Sequence, residues 1–191
     1  MELLEAECKF RVADPEETRR RLLELGAVFV RREEHCDTYL QHPSKNFQNS
    51  DEALRIREVD GQPFVTYKGP RLKGPIKIRP EIELPMVAGT VADWLRIWKH
   101  LGFEVALAVK KSREVFELSF HERPTTITLD RVNALGDFAE VERIVSCQTE
   151  IDQALLDIQE LGVRLHLLDI ERRSYLGMLL AIVGSGATSG T

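Results

Sequence analysis

Charged and small or apolar side chains alternate one by one in six short stretches of this chain. The first is Glu5-Ala6-Glu7-Cys8-Lys9. The others are Arg55-Ile56-Arg57, Lys77-Ile78-Arg79-Pro80-Glu81-Ile82-Glu83, Lys111-Ser112-Arg113, Thr128-Leu129-Asp130 and Glu140-Val141-Glu142. A period of two predicts β-strands, with the charged residues on one face and Ala6, Cys8, Ile56, Ile78, Ile82, Leu129 and Val141 on the other. A single strand of this kind would be an ordinary solvated face. Six that carry both signs of charge at the same parity predict strands curled with the charges inward. Such a lumen collects bases for a polyanion and carboxylates for its metal ions.

The same reading places eight extended stretches, at about residues 3–12, 27–41, 53–59, 64–68, 76–84, 103–118, 125–132 and 137–146. Asp60-Gly61 between the third and fourth is a hairpin signal. Asp14-Pro15-Glu16-Glu17 reads as an N-cap, a proline at the first helical position and acids in the first turn, so a short helix follows and ends before Gly26. Further helices are predicted over 90–101, where Trp94 and Trp98 are read as core, and over 151–161 and 174–183. The loop 43–51 is a connection, the loop 69–75 a candidate lid, and 184–191 a flexible tail after one domain over 1–183. The fold class expected is α+β: an eight-stranded antiparallel closed β-barrel, which removes sheet edges, with short helices packed outside.

Composition narrows the picture. The 191 residues are 43% hydrophobic and 30% charged, a globular balance, and no apolar run approaches a membrane span. The first residues lack the pattern of a signal peptide, so the expected location is the cytoplasm, with no membrane partner. Net charge is -5, from 26 Lys plus Arg against 31 Asp plus Glu, which argues against a nucleic-acid coat and makes any anion site local. Cys8, Cys36 and Cys147 are widely spaced, forming neither a disulfide framework nor a zinc site, and no base accompanies them in sequence. The five histidines show no ligand spacing. Tyr39, Tyr67 and Tyr175 are read as packed tyrosines, with the mouth of the lumen as the alternative.

Glu5-x-Glu7-x-Lys9, Asp37-Thr38-Tyr39-Leu40, Ala53-Leu54-Arg55-Ile56-Arg57, Tyr67-Lys68-Gly69-Pro70, Arg79-x-Glu81-x-Glu83, Lys111-x-Arg113, Leu135-Gly136-Asp137-Phe138-Ala139-Glu140-Val141-Glu142 and Ser174-Tyr175 occur in this order. The set resembles the CYTH superfamily, which unites class IV adenylyl cyclases, thiamine triphosphatases and inorganic triphosphatases on a triphosphate tunnel fold. The Asp-Thr-Tyr and Leu-Arg-Ile-Arg segments are similar to the cyclase branch, whereas the paired Glu140 and Glu142 are also what triphosphatase members show.

The resemblance implies a metal-dependent enzyme acting on ATP, inorganic triphosphate or thiamine triphosphate. Conversion of ATP to cyclic AMP and pyrophosphate is the leading reading, and hydrolysis of a terminal phosphate the alternative. It implies that Lys9, Arg55, Arg57, Lys68, Arg79, Lys111 and Arg113 hold phosphate oxygens, with Lys77 at the same parity as Arg79. Among these, Lys9, Arg57, Lys111 and Arg113, together with Asp130, are the expected catalytic set. Glu5, Glu7, Glu81, Glu140 and Glu142 would hold Mg²⁺ or Mn²⁺, with Asp130 and Glu83 as further candidates. A homodimer is allowed. A non-catalytic module that captures polyphosphate or a nucleotide would need the bases and not the paired acids.

Overall fold

The computed structural model describes residues 4–70, 77–145 and 148–186. In chain order the elements are β1 (Leu4–Arg11), α1 (Pro15–Glu24), β2 (Val28–Gln41), α2 (Phe47–Ser50), β3 (Ala53–Val59), β4 (Gln62–Lys68), β5 (Lys77–Arg79) and β6 (Glu81–Pro85). They continue with α3 (Val91–His100), β7 (Glu104–Phe120), β8 (Arg123–Val132), β9 (Gly136–Val145), α4 (Gln148–Arg164) and α5 (Tyr175–Gly186).

Local chemistry accounts for the boundaries. Asp14 caps α1 by accepting from the Glu17 backbone N–H at 3.0 Å, and the helix is left through Gly26 at φ +86°. Asp60 and Gly61 both take positive φ, the requirement of a type I′ turn, so β3 and β4 form the tight hairpin their sequence predicts. The Asp60 carboxylate also accepts from the Glu34 backbone N–H at 3.0 Å, tying this turn to β2.

All strands belong to one antiparallel sheet in the order β5-β1-β9-β8-β7-β2-β3-β4-β6. The expectation of a closed eight-stranded barrel is corrected to an open, curled sheet. The stretch expected as one strand over 76–84 is split at Pro80, which has no N–H to give to either ladder. Before it, β5 pairs with β1; after it, β6 pairs with β4. These two edge strands meet end to end through Pro80 instead of side by side. Gly69 at the end of β4 donates its N–H to the Pro80 carbonyl at 2.9 Å, and a Cβ at 69 would stand 2.7 Å from the proline ring. Only glycine lets the backbones approach this closely.

The outer face of the sheet carries the main core. Ala6, Cys8, Leu129 and Val141, expected there from the alternation, are buried against Leu22 of α1 and Ile151, Ala154, Ile158 and Leu161 of α4. Two expectations fail. Ile82 is exposed, because β6 has no helix over it, and α3 buries no residue: Trp94 is exposed, while Trp98 packs edge-on against Phe103. The helix expected over 151–161 extends to Gln148–Arg164, and the last helix reaches Gly186, overlapping the start of the expected tail. The tail from 187, most of the candidate lid (71–75) and Cys147 lie outside the described residues. Cys8 and Cys36 are thiols, the first buried and the second half-buried.

Candidate functional site

The inner face of the curl encloses a cavity of about 380 Å³. Its wall carries Lys9 from β1, Arg55 and Arg57 from β3, Lys68 from β4, Arg79 from β5, and Lys111 and Arg113 from β7. Interleaved with them are Glu5 and Glu7 from β1, Glu81 and Glu83 from β6, and Glu140 and Glu142 from β9. Strand parity therefore gathers residues scattered from 5 to 142 onto one surface. Of the residues expected at the site, two are not placed there. Lys77 is defined only by its backbone pairing with Glu7, its side chain lying outside the described set. Asp130 sits behind the wall, 1% exposed.

The bases stand in two similar clamps. On one side Asp130 accepts from Lys111 Nζ at 2.8 Å, from Arg113 Nε and Nη2 at 2.6 Å each, and from the Tyr175 hydroxyl at 2.9 Å. On the other, Asp37, 2% exposed, accepts from Arg55 Nη1 at 3.1 Å and from Arg57 Nε and Nη2 at 2.9 and 3.2 Å. In both, the aspartate lies directly opposite the second base of a basic-x-basic strand: Asp130 opposite Arg113 and Asp37 opposite Arg57. The neighbouring guanidinium groups hold the Asp37 carboxyl far below its ordinary range despite the burial that opposes this. Burial, reinforced by the Arg113 charge, pushes Lys111 down to about 8 against the pull of Asp130 and Glu140.

The site assignment from sequence missed Asp37, which stands behind the wall, and Ser174 and Ile144, which line the cavity. A signal for Asp37 was present, since it shares its parity with Tyr39 and the strand that follows presents Arg55 and Arg57. Tyr39 and Tyr175 line the cavity, whereas Tyr67 donates to Glu52 away from it. The Tyr39 hydroxyl accepts from Arg55 at 3.3 Å. Lys9 Nζ stands 3.8 Å from the centroid of the Tyr175 ring, a cation–π distance. Two donors of Arg55, Nε and Nη2, are buried without a hydrogen-bond partner among the described residues, and Glu81 Oε1 is 3.9 Å from Nη2.

The acids divide into two groups. Glu140 lies between bases, 3.3 Å from Lys9 Nζ and in contact with Arg113. Glu5, Glu7, Glu81 and Glu142 form the second, in which Glu5 bonds to Glu81 and feels the charges of Glu7 and Glu142, while Glu83 stands apart, accepting from the Thr66 hydroxyl at 2.7 Å. Lys68 is shared between Glu5, at 3.6 Å, and Glu81. Burial pushes the Glu5 carboxyl up to about 9 against the opposing charge of Lys68, helped by its hydrogen bond to Glu81 and by the charges of Glu142 and Glu7. Glu81 is lowered to about 2: burial acts upward, but the Glu5 hydrogen bond, Lys68 and Arg55 outweigh it. Burial and then Glu7 raise Glu142. In the β1–β9 ladder, Lys9 is opposite Glu140, a favourable pair, while Glu7 is opposite Glu142, a repulsive one.

A divalent cation fits this donor set on chemistry. Carboxylate oxygens are the preferred ligands of Mg²⁺, and a cluster that keeps a proton on Glu5 has a place for positive charge. No three of the described His, Cys, Asp or Glu residues are arranged to cage an ion by themselves. The set thus suits an ion that completes its coordination with water and phosphate oxygens.

The profile of the CYTH domain matches residues 3–175. The chain belongs to the CYTH family. A Methanocaldococcus jannaschii relative, provisionally named an adenylate cyclase, is 33% identical over 176 residues, covering 91% of this chain and 97% of that protein. A solved Pyrococcus horikoshii protein superimposes with a TM-score of 0.82 at 37% identity, over 93% of this chain and 98% of the other. A Hippeastrum protein, described as an adenylyl cyclase candidate with a dominant triphosphatase activity, shares the fold at 16% identity and a TM-score of 0.64, over 97% of this chain and 96% of its own. No described helix is long and apolar enough to cross a membrane.

Proposed function

We propose that this CYTH protein is a divalent-metal-dependent enzyme that binds ATP by its triphosphate and converts it to cyclic AMP and pyrophosphate. The observation that carries the triphosphate reading is a cavity walled, among the described residues, by seven bases, Lys9, Arg55, Arg57, Lys68, Arg79, Lys111 and Arg113, with Arg57 and Arg113 each fixed by two hydrogen bonds to a buried aspartate. Donors already desolvated and fixed gain a charge-assisted bond without reorganising, which is the electrostatic preorganisation that phosphoryl chemistry uses. The name of the M. jannaschii relative supports cyclisation as the reaction.

In that reaction the ribose 3′-oxygen bonds to the α-phosphorus while the bond from that phosphorus to the α,β-bridging oxygen breaks, so pyrophosphate leaves with the electron pair. Arg55 and Arg57, held by Asp37, and Lys111 and Arg113, held by Asp130, bind phosphate oxygens and spread the charge of the leaving group. The hydroxyl proton passes to a carboxylate of the wall that is ionised when the substrate is bound. Mg²⁺ or Mn²⁺ held by Glu5, Glu7, Glu81 and Glu142 would supply positive charge that acidifies the hydroxyl and offsets the phosphates. Terminal-phosphate hydrolysis would use the same wall with water as the nucleophile, and the activity described for the Hippeastrum protein keeps it as the second reading.

Incubation with ATP, inorganic triphosphate and thiamine triphosphate, in Mg²⁺ and in Mn²⁺, with products separated by chromatography, decides between them. Cyclic AMP with equimolar pyrophosphate is expected. Rapid orthophosphate release from inorganic triphosphate without cyclic AMP would overturn cyclisation in favour of hydrolysis.

A further inference from the structure

The linker between α4 and α5 is stitched to β1. On the edge of β1 away from β9, Glu5 to Glu7 pair with β5, and where β5 leaves off the linker takes its place. Arg11 N–H donates to the Asp169 carbonyl at 2.8 Å, Phe10 and Ile170 form a bridge, and Glu171 N–H donates to the Lys9 carbonyl at 2.9 Å. The same segment also holds the Lys9 side chain. Lys9 Nζ donates to the Arg173 carbonyl at 3.4 Å and stands 3.8 Å from the centroid of the Tyr175 ring, besides its contact with Glu140.

Glu171 organises the turn from which these contacts come. It is buried, and its carboxylate accepts from the Arg173 N–H at 3.0 Å, from Arg173 Nε and Nη2 at 2.9 and 2.6 Å, and from Arg11 Nη2 at 2.8 Å. The bonds from Arg173, with those from Arg11, hold the carboxyl down to about 2 against its burial. Ser174 then caps α5 by accepting from the Gly177 N–H at 3.0 Å, which sets Tyr175 at the start of the helix with its ring at Lys9 and its hydroxyl on Asp130. Glu171 itself does not line the charged cavity. A lysine is a point charge on a flexible stem, so where its ammonium stands is decided by its surroundings. Glu140 draws Lys9 Nζ; the Arg173 carbonyl and the Tyr175 ring act on it as well, and both are presented by the turn that Glu171 ties. We propose that Glu171 is a positioning residue for polyanion binding, which by tying the turn 171–174 fixes Lys9 Nζ at the cavity wall, where it meets a phosphate oxygen. The proposal rests on the triphosphate reading of the cavity and adds to it the device that sets one of its bases.

The test joins a binding cycle to a probe of Lys9 itself. Inorganic triphosphate with Mg²⁺ is titrated by calorimetry into the wild type, Glu171→Gln, Lys9→Met and the double variant. Glu171→Gln is expected to weaken binding about tenfold when Lys9 is present and by less than about twofold when it is Met, because a residue that acts through Lys9 has nothing to move once the ammonium is gone. Equal losses in both backgrounds would make Glu171 a general support of the fold and overturn the proposal. In the second arm the unliganded chain is acetylated by an N-hydroxysuccinimide ester and followed by peptide mass spectrometry, with the half-exposed Lys45 as reference. Lys9, 3% exposed, is expected to react slowly in the wild type and faster in Glu171→Gln. Unchanged Lys9 reactivity in folded Glu171→Gln would overturn the proposal as well. Should that variant fail to fold, Arg173→Met loses two bonds to Glu171 from a side chain that is 57% exposed, and the same rise in Lys9 reactivity is expected there, its absence being equally decisive. A wild type that binds no triphosphate would overturn the triphosphate reading and this role in binding with it, while the reactivity arm reports separately whether Glu171 holds Lys9.

Discussion

Asp130 and Arg113 face each other directly across the β7–β8 ladder and are joined by two hydrogen bonds of 2.6 Å, one to each carboxylate oxygen. The bidentate contact fixes the plane of the guanidinium at the wall of the cavity while leaving Asp130 itself out of it.

Asp130→Asn should therefore act on its neighbours. It leaves Lys111 and Arg113 with Glu140 as the nearby acid, and removing one side of a buried ion pair costs about 3 to 5 kcal/mol. The expected result is a lowered melting temperature that inorganic triphosphate partly restores, since its oxygens supply the missing negative charge. Scanning calorimetry with and without the ligand measures both, and an unchanged melting temperature would contradict the clamp.

Arg57→Ala removes the phosphate contact proposed for this residue but leaves Asp37 bound to Arg55. The chain should fold. A charge-assisted contact is worth about 1.5 to 3 kcal/mol, so KM for ATP should rise by about one to two orders of magnitude. Steady-state kinetics checks this, and a change in kcat alone would assign Arg57 to the reacting centre instead.

Glu7→Gln should have effects of opposite sign on stability and activity. Glu7 is opposite Glu142, and a like-charge cross-strand pair destabilises by roughly 0.2–1 kcal/mol, so the variant should melt slightly higher in chelator. With metal it should be less active even at saturating substrate and partly rescued by excess Mn²⁺. Full activity at low metal would mean that the charges of β1 do not serve the reaction.

The raised Glu5 carboxyl sets a pH dependence. Between its ordinary 4.5 and about 9 the folded protein keeps a proton that the unfolded chain has lost. Stability in chelator therefore falls as pH rises through this window. Glu5→Gln should flatten the slope, as should saturating Mg²⁺, because ligands bind in deprotonated form and release the proton. Melting temperatures from pH 5 to about 9 with and without Mg²⁺ test the sign.

The strands and their inward polarity were legible because a pleat converts period-two alternation directly into two faces: Glu5, Arg57, Arg113 and Glu142 reach one cavity from four strands for that reason alone. Asp130 has the same parity and was read with them, but parity does not report depth, and the ring of Tyr175 together with two bases covers it. Asp37 escaped the site assignment although it shares its parity with Tyr39, since its partners arrive from another strand, β3, 18 and 20 residues later. The helical spacing of α3 correctly predicted a helix, and not that its tryptophan face would meet so little of the sheet. Amphipathicity gives an orientation, while burial also needs a surface opposite.

The joint at Pro80 has a consequence for the girth of the enclosure. A hoop held only by hydrogen bonds can loosen when one stave slides past the next. Here the two rims are successive lengths of a single chain, so circumference is counted in residues. Arg79 and Glu81 look inward because one residue separates them. Removing Pro80 would put them in sequence at opposite parities, turning either a base of the cavity wall or a carboxylate of the acid cluster to the outside while each ladder kept its own register. The spacing of a single residue thus couples the basic and acidic halves of the cavity.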